Sequence, residues 1–196
     1  RAYMLNEEPD RPPLGPLCID VGDVRVVPQL LSDDMLHIAQ LSKTRAALYG
    51  DPTTNLPVGA LNICSYALDT LTQSSPSAVP IVLGGDHSIG WPAFSAAFER
   101  WEKRGGGRLG LLHFDAHTDL LKDRLGVRFC FATWAWHANH LLGEDGRLVQ
   151  VGIRSSAHPR EYWENLCNVR QFWSQEVHER SIDVVADEII ARFTAL

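Results

Sequence analysis

The sequence predicts a three-layer α/β/α sandwich with a mostly parallel sheet. Short apolar runs, often rich in β-branched residues, alternate along the 196-residue chain with longer segments of helical periodicity. Within each run the apolar side chains occupy consecutive positions, and Gly or Pro often bounds the run, which is typical of strands covered on both faces. The alternation of strand and helix therefore favours a single α/β domain over residues 1–196.

Five segments are predicted as strands, at 17–21, 79–83, 109–114, 148–153 and 168–172. In parallel sheets, ligands gather beyond the carboxyl ends of the strands. The loop that follows each predicted strand is therefore where functional residues are expected.

Four segments are predicted as helices. The first begins at Ser32, whose hydroxyl is suited to cap free amides, and reaches about Leu48. The third begins near Pro92 and the fourth near Ser181. The apolar faces of the last three helices consist of Leu61, Cys64, Leu68 and Leu71; of Phe94, Ala97, Phe98 and Trp101; and of Val185, Ile189 and Phe193.

The composition argues against several classes of partner. With 18 basic and 24 acidic residues the net charge is −6, and no basic stretch is present to bind nucleic acid or an anionic membrane. No apolar run approaches the ~18 residues that cross a bilayer, so we expect a cytoplasmic protein. The spacing of the cysteines predicts free, buried thiols at Cys18, Cys64, Cys130 and Cys167.

Two loops after predicted strands are rich in groups that bind metals. Gly-Gly-Asp-His-Ser stands at 84–88, and Asp-Ala-His-Thr-Asp stands at 115–119. If the backbone stays extended beyond the second strand, alternate side chains share a face, so Asp115, His117 and Asp119 would point the same way.

These loops predict a divalent-metal site. A glycine pair at 84–85 lets the backbone turn sharply and deliver His87 from the neighbouring loop. The carboxylates of Asp115 and Asp119 would repel each other unless a cation lay between them. Carboxylate and imidazole ligands suit manganese, iron, nickel or zinc. The alternative is that both aspartates cap a turn while His117 bonds to main chain, but two such loops at one sheet edge favour the metal.

The motifs resemble those of the ureohydrolases, the family of arginase, agmatinase and their relatives. The signature pair of that family is Gly-Gly-Asp-His-Ser followed by Asp-Ala-His-x-Asp, and both are present at 84–88 and 115–119. The Asp-Val-Gly-Asp segment at 20–23 is similar to an earlier family motif, and the resemblance extends over the whole chain.

The resemblance implies a centre of two divalent metal ions, usually Mn²⁺, with Ni²⁺ or others as alternatives. By this resemblance His87, Asp115 and Asp119 match ligands of one ion, His117 and Asp115 match those of the other, and Asp86 supports them from behind. A hydroxide bridging the ions would attack the guanidinium carbon of a small arginine- or agmatine-like substrate, giving urea and an amine. The resemblance also implies a homo-oligomer, a trimer or a hexamer.

The sequence departs from the family pattern in two places. An Asp-x-Asp pair, which the family carries on a later strand, does not occur in the 196 residues, so we expect the chain to lack its N-terminal strand and C-terminal part. Phe131 stands where many relatives have a histidine that passes a proton to the leaving amine. His137 or His140 is the candidate substitute for that shuttle. The nearby aromatic residues, which line the pocket or pack on the sheet, are Phe129, Phe131, Trp134 and Trp136.

Two other motif-like segments do not carry the functions that they suggest. The glycines at 105–110 lead into a strand and do not open a helix, which excludes dinucleotide binding. The surroundings of Ser88 do not form a nucleophile elbow, and no His-Glu-x-x-His motif occurs. Two alternatives remain: a non-catalytic relative with a partial metal site, and a single-zinc deacylase.

Overall fold

The centre of the molecule is a sheet of three parallel strands in the order β1-β2-β3. They are β1 (Leu111–Phe114), β2 (Leu148–Ile153) and β3 (Arg170–Trp173). The computed structural model describes residues 19–27, 29–102, 105 and 107–195. The three strands confirm the predictions at 109–114, 148–153 and 168–172. Apolar residues of β2 and β3 are buried, whereas Leu112 and Phe114 of β1 are 37% and 69% exposed.

Seven α-helices lie within the described residues: α1 (Ile38–Tyr49), α2 (Ala60–Ser74), α3 (Gly90–Trp101), α4 (Trp134–Leu141), α5 (Arg160–Cys167), α6 (Ser174–Arg180) and α7 (Ile182–Thr194). Two single-turn 3-10 helices, Asp33–Met35 and His87–Ile89, precede α1 and α3. Among these helices, none combines the length and the apolarity that a membrane span requires.

Helices cover both faces of the sheet, which confirms the predicted sandwich. On one face, residues of α3, α4 and α5 pack around Leu148 of β2. On the other face, α6 and α7 pack over Val149 and Phe172. Alternate residues of β2 therefore point into two separate cores, as expected for a strand buried on both sides.

Most predicted helix faces are buried, with two corrections. Trp101 is half-exposed because it is the last residue of α3, while Phe94 and Phe98 are buried as predicted. Ser32 does not cap α1. Its hydroxyl bonds to the side chains of Asp34 and Asn62, and the chain makes a 3-10 turn before the His37 side chain caps α1.

Two predicted strands are absent from the described part of the chain. Residues 19–21 and 79–83 form no strand, while residues 17 and 18 lie outside the described part. Val79, Ile81 and Leu83 are 84%, 78% and 91% exposed, because no described strand lies beside them. Pro80 also has no backbone N–H to give to a neighbour. An apolar run shows that a segment suits a sheet, but a strand also needs a hydrogen-bonding partner.

The cysteine prediction is confirmed where the structure describes it. Cys130 and Cys167 are buried free thiols, and Cys64 is half-buried and also free. Burial raises the pKa of the Cys167 thiol to about 11, so this group stays protonated at neutral pH. Cys18 lies outside the described residues.

Candidate metal centre

Four side chains meet at the carboxyl end of β1. They are His87, His113, Asp115 and Asp119, and each offers one ligand atom within 4.8 Å of all the others. His87 comes from the 3-10 turn before α3, whereas His113 and Asp115 come from the end of β1 and the residue after it. The structure thus brings together the two loops that the sequence singled out.

The His87 ring joins the two carboxylates. Its Nδ1 lies 2.7 Å from Asp115 Oδ2 and 3.0 Å from Asp119 Oδ2. Asp119 is buried and Asp115 is partly buried, while the His87 ring is the more open member. Both carboxylate oxygens face the same nitrogen. A cation bound to that nitrogen would therefore lie close to both carboxylates.

The charges of the cluster depend on one another. Hydrogen bonding to Asp119, with a further contribution from Asp115, raises the pKa of His87 although burial opposes this. Burial works against ionisation of Asp115, but the His117 backbone N–H and the His113 and His87 rings outweigh it and lower the pKa of Asp115 to about 2. Burial lowers the pKa of His113. The site therefore places the ionised Asp115 carboxylate beside imidazoles, a donor set that suits a divalent cation.

Asp86 holds the turn that carries His87. Its Oδ1 accepts a hydrogen bond from the backbone N–H of Ser88 at 2.8 Å, which caps the 3-10 turn. The predicted role of Asp86 behind the metal ligands stays a prediction, and its observed contact is with the backbone of this turn.

The chain bends at Gly85 and Asp86, directly before the 3-10 turn that carries His87. Neither Gly84 nor Gly85 lies in the left-handed region, so the bend does not depend on a positive φ. A Cβ at Gly84 would lie 2.6 Å from the Ile89 side chain, whereas Gly85 has open space around it. Close approach of Ile89, and not backbone conformation, is therefore what requires glycine at position 84.

The expectation of an extended chain from Asp115 to Asp119 is wrong. The backbone bends at Ala116 and His117, and Asp119 has a φ of +50°. The Asp119 carboxylate then accepts a hydrogen bond from Trp134 Nε1 at 3.0 Å, which holds it at the cluster. His117 is 64% exposed, with Nδ1 3.5 Å from Asp115 Oδ1, so it lies beside the cluster. Its role as a ligand stays a prediction.

The sequence did not predict one residue of the site, His113, or one contact, that of Trp134 with Asp119. His113 precedes Asp115 by two positions in the chain, so alternation along the strand places both on one face. Counting backwards from Asp115 would have found it. Trp134 was expected either to line the pocket or to pack on the sheet, and no spacing rule links it to Asp119.

The predicted proton shuttle lies within an aromatic group. His137 is buried on α4, its Nε2 donates to the carbonyl oxygen of Arg128 at 2.9 Å, and its ring lies 4.4 Å from that of Phe129. Burial lowers the pKa of His137. The neighbouring Phe131 is half-exposed under the Arg124 guanidinium. The shuttle role of His137 stays a prediction.

Replacement of Gly90 by alanine tests how α3 supports the site. The added Cβ would lie 2.5 Å from the ring of Trp134, the residue that bonds Asp119. The φ of −58° at Gly90 suits alanine, so the lack of space is the only obstacle. We expect a loss of about 1–3 kcal/mol in the free energy of unfolding, as for other overpacked cores, together with weaker metal binding.

The control for this prediction is Gly85→Ala, because a Cβ there has no atom within 4 Å. Both variants reduce the freedom of the unfolded chain in the same way, so their difference isolates the clash. Urea unfolding and Mn²⁺ titration of the two variants measure it. Equal stability and equal Mn²⁺ affinity would contradict the proposed contact between Gly90 and Trp134.

The sequence and the fold were compared with known proteins. A family model described as "Arginase family" matches residues 15–195. A formimidoylglutamase of Halalkalibacterium halodurans is 30% identical over 166 residues, which cover 82% of this chain and 49% of the relative. The mitochondrial agmatinase of Gallus gallus is 31% identical over 149 residues, which cover 70% of this chain and 42% of the relative. The chain spans about half the length of these relatives or less.

Solved structures show the same fold. The proclavaminate amidino hydrolase of Streptomyces clavuligerus is 25% identical, with a TM-score of 0.53 over 66% of this chain and 42% of that protein. A hypothetical agmatinase of Burkholderia thailandensis is 27% identical, with a TM-score of 0.55 over 67% of this chain and 38% of that protein. By its sequence, its fold and its two motif loops, the chain belongs to the arginase family.

Proposed function

We propose that the protein is a metal-dependent hydrolase of linear guanidino or amidine compounds, which releases urea and an amine from an arginine- or agmatine-like substrate. The observation that carries this proposal is the meeting of His87, Asp115 and Asp119 from two separate loops. The names of the relatives, which include agmatinase and formimidoylglutamase, support the substrate class.

The proposed cofactor is a pair of divalent ions, with Mn²⁺ as the first choice and Ni²⁺ as the alternative. His87, Asp115 and Asp119 would hold one ion, and His117 with Asp115 would contribute to the other. Bound divalent ions would lower the pKa of a water molecule toward neutrality and so supply the nucleophile. The donor set present in the structure fits such ions, because its carboxylates are close together and one of them is buried.

The protein residues prepare the site in three ways. The low pKa of Asp115 keeps this carboxylate ionised at neutral pH, so it attracts cations, including a guanidinium group. The Trp134 indole holds Asp119 in place from the buried side. His117, on the exposed side, leaves the cluster open to a substrate that arrives from solvent.

His137 stays the proposed proton donor to the leaving amine. Its Nε2–H would first have to leave the carbonyl oxygen of Arg128, its present acceptor. The proposal also includes a cytoplasmic location and assembly into a trimer or hexamer, as the resemblance implies.

A substrate panel tests the proposed function. The purified protein, loaded with Mn²⁺, is incubated with agmatine, arginine and other linear guanidino compounds, and the urea released and the bound metal are measured. We expect urea from at least one compound, loss of activity on chelation, and recovery when Mn²⁺ is added back. Bound metal without urea from any guanidino compound would overturn the urea-releasing hydrolase and favour a non-catalytic metal-binding relative.

A further inference from the structure

We propose that His113 positions Asp115 for the metal and is not itself a metal ligand. Distance alone does not separate these roles, because His113 lies within the same 4.8 Å cluster as the other candidate ligands. The hydrogen bonds behind the ring do separate them. The inference rests on the proposed function in one respect, which is that Asp115 binds a metal ion. The hydrogen-bond pattern itself does not depend on the metal.

A buried row of polar side chains crosses the sheet behind Asp115. His113 of β1 pairs with Gln150 of β2, and Gln150 pairs with Gln171 of β3, so the three are cross-strand neighbours. All three are buried. Buried polar groups destabilise a fold unless each is hydrogen-bonded, so the partners of this row must be mutually consistent.

Trp173, beside Gln171 at the β3 end of the row, fixes the orientation of the Gln171 amide. Trp173 Nε1 lies 3.0 Å from one terminal atom of the Gln171 amide. An indole N–H can only donate, so that atom must be the acceptor, Oε1. The Gln171 Nε2 therefore faces Gln150, where it donates to Oε1 at 2.7 Å.

The orientation of the Gln150 amide in turn determines which nitrogen of the His113 ring carries the proton. With its Oε1 used by Gln171, the Gln150 amide directs Nε2 toward the Thr118 carbonyl oxygen at 2.6 Å and toward His113 Nδ1 at 2.8 Å. Two N–H groups serve these two acceptors, so His113 Nδ1 carries the lone pair. The ring proton is then on Nε2, which lies 3.3 Å from Asp115 Oδ2.

The position of this proton makes His113 a hydrogen-bond donor to Asp115. A ring nitrogen that bears a proton has no lone pair for a metal, so His113 Nε2 donates to the carboxylate. Asp115 is held at both oxygens, since its Oδ1 accepts from the His117 backbone N–H at 3.0 Å. Donors of this kind behind a ligand set its orientation, and their removal weakens metal binding by about 10- to 100-fold.

The tautomer of His113 is the first test. A long-range proton–nitrogen NMR spectrum of the wild-type protein, without metal and then with diamagnetic Zn²⁺, reports which ring nitrogen is protonated. We expect His113 to bear its proton on Nε2 in both states, while the His87 nitrogens shift on Zn²⁺ addition. A proton on Nδ1, or a metal-dependent shift of His113 Nε2 into the range of a ligated nitrogen, would overturn the assignment.

A pair of variants is the second test. His113→Gln retains an N–H donor within reach of Asp115, whereas His113→Leu removes it. By calorimetric titration we expect Mn²⁺ affinity within about threefold of wild type for the first and about 10- to 100-fold weaker for the second, both being folded by circular dichroism. Equal affinities in the two variants would overturn the positioning role.

The outcomes for this inference and for the proposed function are distinct. A wild-type protein that binds no Mn²⁺ overturns the proposed function. The tautomer in the metal-free protein still supports or overturns the hydrogen-bond assignment in that case, because it requires no metal.

Discussion

Replacing Asp119 by alanine is expected to abolish metal retention and the release of urea. The Asp119 carboxylate is buried, lies 3.0 Å from His87 Nδ1 and accepts the Trp134 indole N–H. Its removal takes away both a proposed ligand and the acceptor that fixes Trp134. The loss of Mn²⁺ affinity should therefore exceed the ~10- to 100-fold effect of a residue that acts behind the ligands.

The matched control is Asp123→Ala, which removes an exposed carboxylate four residues later and leaves the cluster intact. Bound metal is counted by mass spectrometry after gel filtration, and urea release is followed with the substrate found for the wild type. Equal metal content in the two variants, or equal activity, would end the assignment of Asp119 to the metal centre.

Replacing Phe172 by alanine is expected to destabilise the fold more than any other single change considered. This β3 residue is fully buried against Val149, Val185 and Ile189. The Arg170 guanidinium also lies over its ring, with 4.3 Å between Cζ and the centroid. Truncation would leave a cavity between the sheet and α7, and such changes decrease the free energy of unfolding by about 3–5 kcal/mol.

The control is Phe131→Ala, the same substitution at a ring that is 42% exposed. There we expect a loss of about 1 kcal/mol or less, chiefly from the contact with the Arg124 guanidinium. Urea unfolding followed by far-UV circular dichroism measures both variants. Similar midpoints for the two would show that the core between β3 and α7 is looser than the structure indicates.

The fold was predictable where local pattern and burial agree. The strand at 148–153 was predicted with its observed bounds, because its apolar residues, which are Leu148, Val149, Val151 and Ile153, are covered on both faces. The segment at 79–83 has the same apolar character and forms no strand. The pattern of residues shows which side chains a segment can bury. Whether the segment forms a strand also depends on a neighbouring strand, which the local sequence does not identify. The Ser32 cap failed for a similar reason. The Asn62 side chain, distant in sequence, accepts the Asp33 backbone N–H and the Ser32 hydroxyl proton, and α1 begins only at Ile38 with His37 as its cap.

The site was predictable in its membership more than in its geometry. His87, Asp115 and Asp119 were expected to meet, and the structure places their ligand atoms within 4.8 Å of one another. The assumed extended loop placed His117 in the cluster, while the actual bend turns it toward solvent. His113 was not predicted because it lies within β1, before the loop that carries the motif.

The buried row formed by His113, Gln150 and Gln171 has an evolutionary consequence. Each member satisfies its neighbour, so an apolar replacement of one leaves a buried polar group unpaired, at a cost of about 1–3 kcal/mol. Exchanging all of them together for apolar side chains of similar shape removes that penalty within the row. Only its outer partners, the Trp173 indole N–H, the Thr118 carbonyl oxygen and the Asp115 carboxylate, would then need new hydrogen bonds. Homologues should therefore inherit these three positions as a block, and a lineage that lost the histidine should also have lost the glutamines.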